Sequence, residues 1–151
     1  INLKANLASS KNTNSNEIIA SDISLKSLMT AQKGFYPDSR ISGIPQNYLA
    51  SYFTRVEGGY QIKPELMKTI RFDYHNLRFD MGARNFDIVF CRNVLIYFDE
   101  AAQKITIDNF WKSMARHSYL FIGHSESLFG MDTKFEFLKT PWACLYQKNE
   151  K

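Results

Sequence analysis

The sequence predicts an α/β domain, one sheet with helices on its faces and an antiparallel hairpin at its C-terminal edge. Three observations predict it. Short apolar runs recur at residues 17–21 (EIIAS), 86–92 (FDIVFCR) and 119–123 (YLFIG), lengths that suit buried strands. Segments of helical periodicity alternate with them. The chain has 151 residues, 44% hydrophobic and 15% aromatic, which suits a single domain over 1–151 with a core of its own.

The opening stretch, 1–16, holds five Asn and three Ser. Its first half, INLKANLA, reads as the end of a helix, and SSKNTNSN as an exposed loop. The strand at 17–21 ends on Asp22. Ser24 caps the helix that follows, Leu25, Leu28 and Met29 form its apolar stripe, and Gly34 stops it. A polar turn containing Pro37, Gly43 and Pro45 leads to a short helix carrying Tyr48, Leu49, Tyr52 and Phe53. Residues 54–63 alternate on either side of Gly58-Gly59, a hairpin signal. One helical turn at 64–68 precedes a strand at 70–77.

The run FDIVFCR is the clearest central strand. Asp99 then caps the longest helix, 100–117, with Ile105, Phe110, Trp111 and Met114 facing inward. YLFIG is a further buried strand, and Ser125 caps a short helix SESLF. Strands at 135–139 and 143–148, joined through Pro141, make the edge hairpin.

The net charge of +4 suits an acidic partner, but no two Lys or Arg are adjacent, so nucleic acid has no special support. No apolar run approaches the roughly 18 residues of a membrane span, and no signal peptide opens the chain. Cys91 and Cys144 sit in strand-like runs and read as buried thiols of a reducing compartment, the cytoplasm, rather than a disulfide. His75, His117, His124 and the cysteines lack metal-ligand spacing.

In such sheets ligands sit at the carboxyl ends of the strands, which singles out Asp22, Asn76, Asn93 and Gly123. Asp22 suits the two hydroxyls of a ribose, and equally a helix N-cap. Asn76 offers a donor and an acceptor to an adenine edge, with Leu77 to pack on the ring; taken alone, a turn Asn and a core Leu are the commoner use. Asn93 and Val94 repeat that pair with the same alternative. Tyr97 can point its hydroxyl into a cleft at the strand ends, though a buried Tyr with one backbone hydrogen bond is the commoner use. The run GHSES at 123–127 departs from G-x-S-x-G, and its adjacent His124, Ser125 and Glu126 cannot easily converge as a triad.

Together, IIASDIS, YQIKPELMKTIRFDYHNL, FDIVFCRNVLIYFD and YLFIGHSESL resemble, in order, the CheR-type chemotaxis protein-glutamate methyltransferases. The resemblance runs from about Glu17 to Lys148. It implies a Rossmann-like S-adenosylmethionine methyltransferase sheet that yields S-adenosylhomocysteine and glutamate methyl esters on the cytoplasmic helices of methyl-accepting chemotaxis receptors. It assigns Asp22 to the cofactor ribose, Asn76, Leu77, Asn93 and Val94 to the adenosine, and Tyr97 to the neighbourhood of the transferring methyl group. Residues 40–70 correspond to a small inserted β-subdomain that tethers some members to a receptor peptide. The loop here is only about Glu57-Gly58-Gly59, which implies the untethered type.

No segment resembles the family's loop of the form G-C-S-x-G-E-E or the strand before it. That implies a chain cut short at its N-terminus, with 1–16 a remnant helix and loop. It also implies a sheet without its central first strand, which leaves unpaired backbone between the strands at 17–21 and 86–92. On this reading the chain alone is inactive, and a non-catalytic receptor- or cofactor-binding module is the alternative.

Overall fold

A computed structural model describes residues 5–9, 16–140 and 144–150, with the side chains of 17–140 and 145–150. The fold is mixed α/β, as the sequence predicts. Strands β1 (Ala5–Ser9) and β2 (Asn16–Asp22) lead to helix α1 (Leu25–Lys33). Strand β3 (Phe35–Pro37), helix α2 (Gln46–Tyr52), strands β4 (Phe53–Val56) and β5 (Gly59–Ile62) and the single turn α3 (Pro64–Met67) follow. Strands β6 (Ile70–Tyr74) and β7 (Phe86–Cys91), helix α4 (Glu100–Ser113) and strands β8 (Met114–Ile122), β9 (Glu136–Lys139) and β10 (Cys144–Asn149) complete the described chain.

Seven strands form one sheet in the order β6-β2-β1-β7-β8-β10-β9, and β3, β5 and β4 form a second, three-stranded sheet. The pairs β2–β6 and β7–β8 are parallel, and β1 is antiparallel to both β2 and β7. Strands β6, β2, β7 and β8 therefore run in one direction and end along one edge. At the far side, β10 pairs antiparallel with β8 and β9, the expected edge hairpin.

The place expected to stand open between β2 and β7 is held by β1. Ala5–Ser9 pairs along its length with Asn16–Ala20, and Asn6 and Leu7 face Val89 and Ile88. The expected helix end over INLKANLA is thus corrected to a strand at Ala5–Ser9. Two neighbouring strands with unpaired N–H and C=O groups outweigh the helical preference of one short segment. The rest of 1–16, apart from Asn16, lies outside the described residues, as does the side chain of Cys144.

The core joins Phe86, Val89 and Cys91 of β7, Leu120 and Ile122 of β8, and Ile107 and Phe110 of α4. Helix α1 has the expected caps: Ser24 accepts from the Ser27 N–H, and Gly34 takes the left-handed conformation at φ 63°. Its buried residues are Leu28 and Ala31, whereas Leu25 and Met29 are exposed, so the expected stripe is corrected at two positions. Helix α4 ends at Ser113 rather than 117, and its inward face is Ala102, Thr106, Ile107, Phe110 and Ser113, with Ile105 exposed. The turn expected around Pro37 contains β3, too short to show a period. Residues 125–129 form no helix, so Ser125 caps none. Beside the small sheet, Arg55 bonds Asp38 and holds that exposed carboxyl below its usual range, an interaction worth little in water.

Asp99 caps α4 by accepting from the Ala102 N–H at 2.8 Å. Asp99→Ala should cost about 1 kcal/mol of stability. Urea denaturation checks this, and an unchanged midpoint would show the cap to be dispensable.

Candidate functional site

The strand-end residues form two groups on the shared edge. The first joins β2 and β6. Asp22 is half-buried and pairs in register with Tyr74, and its carbonyl accepts from the His75 N–H at 3.1 Å. Its carboxylate Oδ1 accepts from the Ser24 N–H at 2.9 Å, while Oδ2 takes no donor among the described residues. The N-cap use considered for Asp22 is corrected: Ser24 is the N-cap of α1, and Asp22 shapes the turn that leads into it. Asn76 closes its own turn, Oδ1 accepting from the Arg78 N–H at 3.1 Å. Leu77 packs against the core, and its carbonyl accepts from Asn109 Nδ2 at 3.1 Å, which ties this strand end to α4. His75, Leu77, Phe79, Met81, Asn109 and Phe110 line a shallow cleft beside it.

The second group joins β7 and β8 and is organised by Glu126. Its carboxylate is buried, with the residue 5% exposed. Oε1 accepts from the N–H groups of Val94 and Leu95, each at 2.7 Å, and Oε2 from those of Asn93 at 2.8 Å and Gly123 at 2.6 Å. Asn93 adopts φ 57°, a left-handed conformation, and Val94 follows at φ −126°. That sequence turns successive N–H groups toward one point, a backbone nest that binds anions. Here the anion is the protein's own. The nest is therefore filled by the Glu126 carboxylate.

Gly123 completes this arrangement through its missing side chain. A Cβ there would lie 2.5 Å from Glu126 Oε2 and 2.6 Å from Asn93 Oδ1. Glu126 lies in the GHSES run, which carries part of the family resemblance and argues against a hydrolase, but sequence reading assigned the acid itself no role. The available signal was an acid three residues beyond a strand-end glycine.

Val94 is buried and Asn93 exposed, so the pair presents a polar group over an apolar floor. Tyr97 ends a 3-10 turn over Leu95–Tyr97 and is 80% exposed, which corrects the commoner buried use. Apolar residues are exposed along this same edge: Ile23 beyond β2, Tyr74 and Phe79 at β6, Ile96 beyond β7 and Phe129 beyond β8. Among the described residues no cluster of three or more His, Cys, Asp or Glu could hold a metal, and no helix is long and apolar enough to cross a membrane.

A mixed α/β sheet whose parallel strands end along one edge defines the class of domains that bind ligands at that edge. Comparison with known proteins makes the assignment particular. The family model "CheR methyltransferase, SAM binding domain" matches residues 2–144, and the chain belongs to that family. A chemotaxis protein methyltransferase of Borreliella burgdorferi is 37% identical over 136 residues, covering 88% of this chain and 47% of that protein. Chemotaxis protein methyltransferase 2 of Vibrio cholerae is 33% identical over 141 residues, covering 89% of this chain and 48% of that protein. The chain thus spans about half the length of these curated relatives. An uncharacterized 104.1 kDa protein of Rhodobacter capsulatus is 35% identical over 122 residues, 81% of this chain and 13% of its own length.

The family domain binds S-adenosylmethionine, and the Asp22 carboxylate and the Asn76 and Asn93 amides at the strand ends are groups that can hydrogen-bond a nucleoside.

Proposed function

We propose that the protein transfers the methyl group of S-adenosylmethionine to glutamate side chains of chemotaxis receptors, forming methyl esters. The observation that carries this reading is the placement of Asp22, Asn76–Leu77 and Asn93–Val94 on one edge of the sheet, with Tyr97 exposed beside them. Asp22 accepts the ribose hydroxyls, Asn76 and Asn93 serve the polar edge of the nucleoside, and Leu77 and Val94 pack on its rings.

When bound, the cofactor supplies a methyl group already activated by the positive sulfur. The substrate glutamate is ionised at neutral pH, since a free glutamate has a pKa near 4.3. A carboxylate is itself the nucleophile, so the protein needs no general base. Its task is to hold the carboxylate in line with the methyl group. Tyr97, with its ring and hydroxyl at the surface, orients that carboxylate. One C–O bond forms as the S–C bond breaks, leaving the ester and S-adenosylhomocysteine.

The partners are the cytoplasmic helices of the receptors, which places the reaction in the cytoplasm. The hairpin β4–β5 turns through Glu57 and Gly58 alone, which supports direct contact with those helices rather than tethering through the small sheet. Such helices are acidic, in keeping with the net charge of +4.

Asp22→Asn tests the ribose role. It keeps an acceptor for the Ser24 N–H and alters the second oxygen. The loss of charge-assisted hydrogen bonds should weaken S-adenosylmethionine binding about tenfold or more. Calorimetry reads the dissociation constant, and unchanged affinity would reject the role.

A further inference from the structure

We infer that Glu126 is a positioning residue for the cofactor site: its carboxylate sets the Asn93–Leu95 turn that the proposed function assigns to the adenosine. The inference rests on that reading of Asn93 and Val94 and adds to it the group that holds them.

Three features carry it. The carboxylate reaches across 31 to 33 residues of sequence to the N–H groups of Leu95, Val94 and Asn93, and back to Gly123. It thereby locks the end of β7 to the end of β8 through side chain rather than through the sheet ladder. Next, Asn93 holds a left-handed conformation, which a non-glycine residue keeps only when its surroundings impose it. Three converging N–H groups on one carboxylate impose it here. Finally, the Glu126 N–H donates to the Gly123 carbonyl at 3.0 Å, so the acid sits on a closed turn and cannot swing away without breaking it.

Glu126 lies beneath the turn and is buried, so it acts through Asn93 and Val94 rather than on the ligand. Its side chain fixes where the Asn93 amide and the Val94 methyls stand. A carboxylate accepts at four positions and all four are used; a glutamine has one oxygen and would set its NH2 against the N–H groups on the other side.

The test uses the protein as encoded, assayed with S-adenosylmethionine and receptor below the melting temperature of every variant. Glu126→Gln should raise the KM for S-adenosylmethionine roughly tenfold or more, the effect of one to two lost charged hydrogen bonds, with kcat changed much less. Asn93→Ala should do the same. The double variant should be no worse than either single one, because both act at one point. An E126Q protein that folds and keeps the wild-type KM overturns the inference, and so does full additivity with Asn93→Ala. Should E126Q not fold, amide hydrogen exchange of the wild-type protein decides. The Val94 and Leu95 amides should be as protected as those of β7 without cofactor, and free exchange overturns the inference. Failure of the wild-type protein to bind S-adenosylmethionine, or an Asn93→Ala variant with unchanged KM, would instead sink the underlying site assignment.

Discussion

Glu126→Leu should lower the free energy of unfolding by about 3–5 kcal/mol, because it strands buried donors while filling the same space. Leucine approximates the volume of glutamate, so no large cavity opens. What is lost is the acceptor for four N–H groups. The bonds to Val94, Leu95 and Gly123 are buried, and each such donor left without a partner costs about 1–3 kcal/mol. The Asn93 N–H is nearer the surface and can find water. The same loss should release Asn93 from its left-handed conformation. Guanidinium denaturation reads the stability, and a change below about 1 kcal/mol would show that the turn holds itself without the carboxylate.

Lys148→Met should cost about 2–3 kcal/mol, a fall in melting temperature of about 4–10 °C for a chain of this size. Lys148 is buried near the end of β10, and its Nζ donates to the carbonyls of Trp111 at 2.7 Å and Met114 at 2.9 Å. The ammonium also lies 4.9 Å from the centre of the Trp111 ring and 3.6 Å from the Glu150 carboxylate. Methionine keeps the aliphatic stem and removes the charge. Part of the loss is offset because no ammonium must then be desolvated, which keeps the estimate below the sum of the bonds. The last turn of α4 should also exchange its amide hydrogens faster. Calorimetric melting checks the first expectation, and a stability equal to wild type would remove Lys148 from any role at the helix end.

These two residues show where sequence reading stops. The helix α4 was legible from the Asp99 cap and its inward Phe110, but its end was not. The chain passes from Ser113 straight into β8 without a glycine, and the donor that satisfies the Trp111 carbonyl comes from Lys148, far along the sequence. Local end signals, by contrast, marked α1 from Ser24 to Gly34 correctly. Burial was less legible than period: Leu25 and Met29 lie in helical spacing with Leu28, yet only Leu28 reaches the core.

The sheet follows the same division. Apolar runs marked β2, β7 and the second half of β8, because buried parallel strands are continuously apolar, whereas the first half of β8 was read as the end of α4. Strand β1 could not be read from ANLAS, whose extended form is set by the edges of β2 and β7. In the candidate site, the strand-end rule and the family resemblance together picked Asp22, Asn76, Leu77, Asn93 and Val94, all of which lie at the ends of strands pointing one way. Glu126 was passed over because its partners are backbone N–H groups, which leave the acid's place beyond a strand-end glycine as the only mark in the sequence.

The proposed function requires S-adenosylmethionine to bind at the carboxyl ends of β2, β6 and β7. A crystal structure of the protein with S-adenosylhomocysteine tests it most directly. Expected are ribose hydroxyls on the Asp22 carboxylate, the adenine between Leu77 and Val94, and the thioether end toward Tyr97. A nucleoside seated elsewhere, with Asp22 and Asn93 untouched, would contradict it.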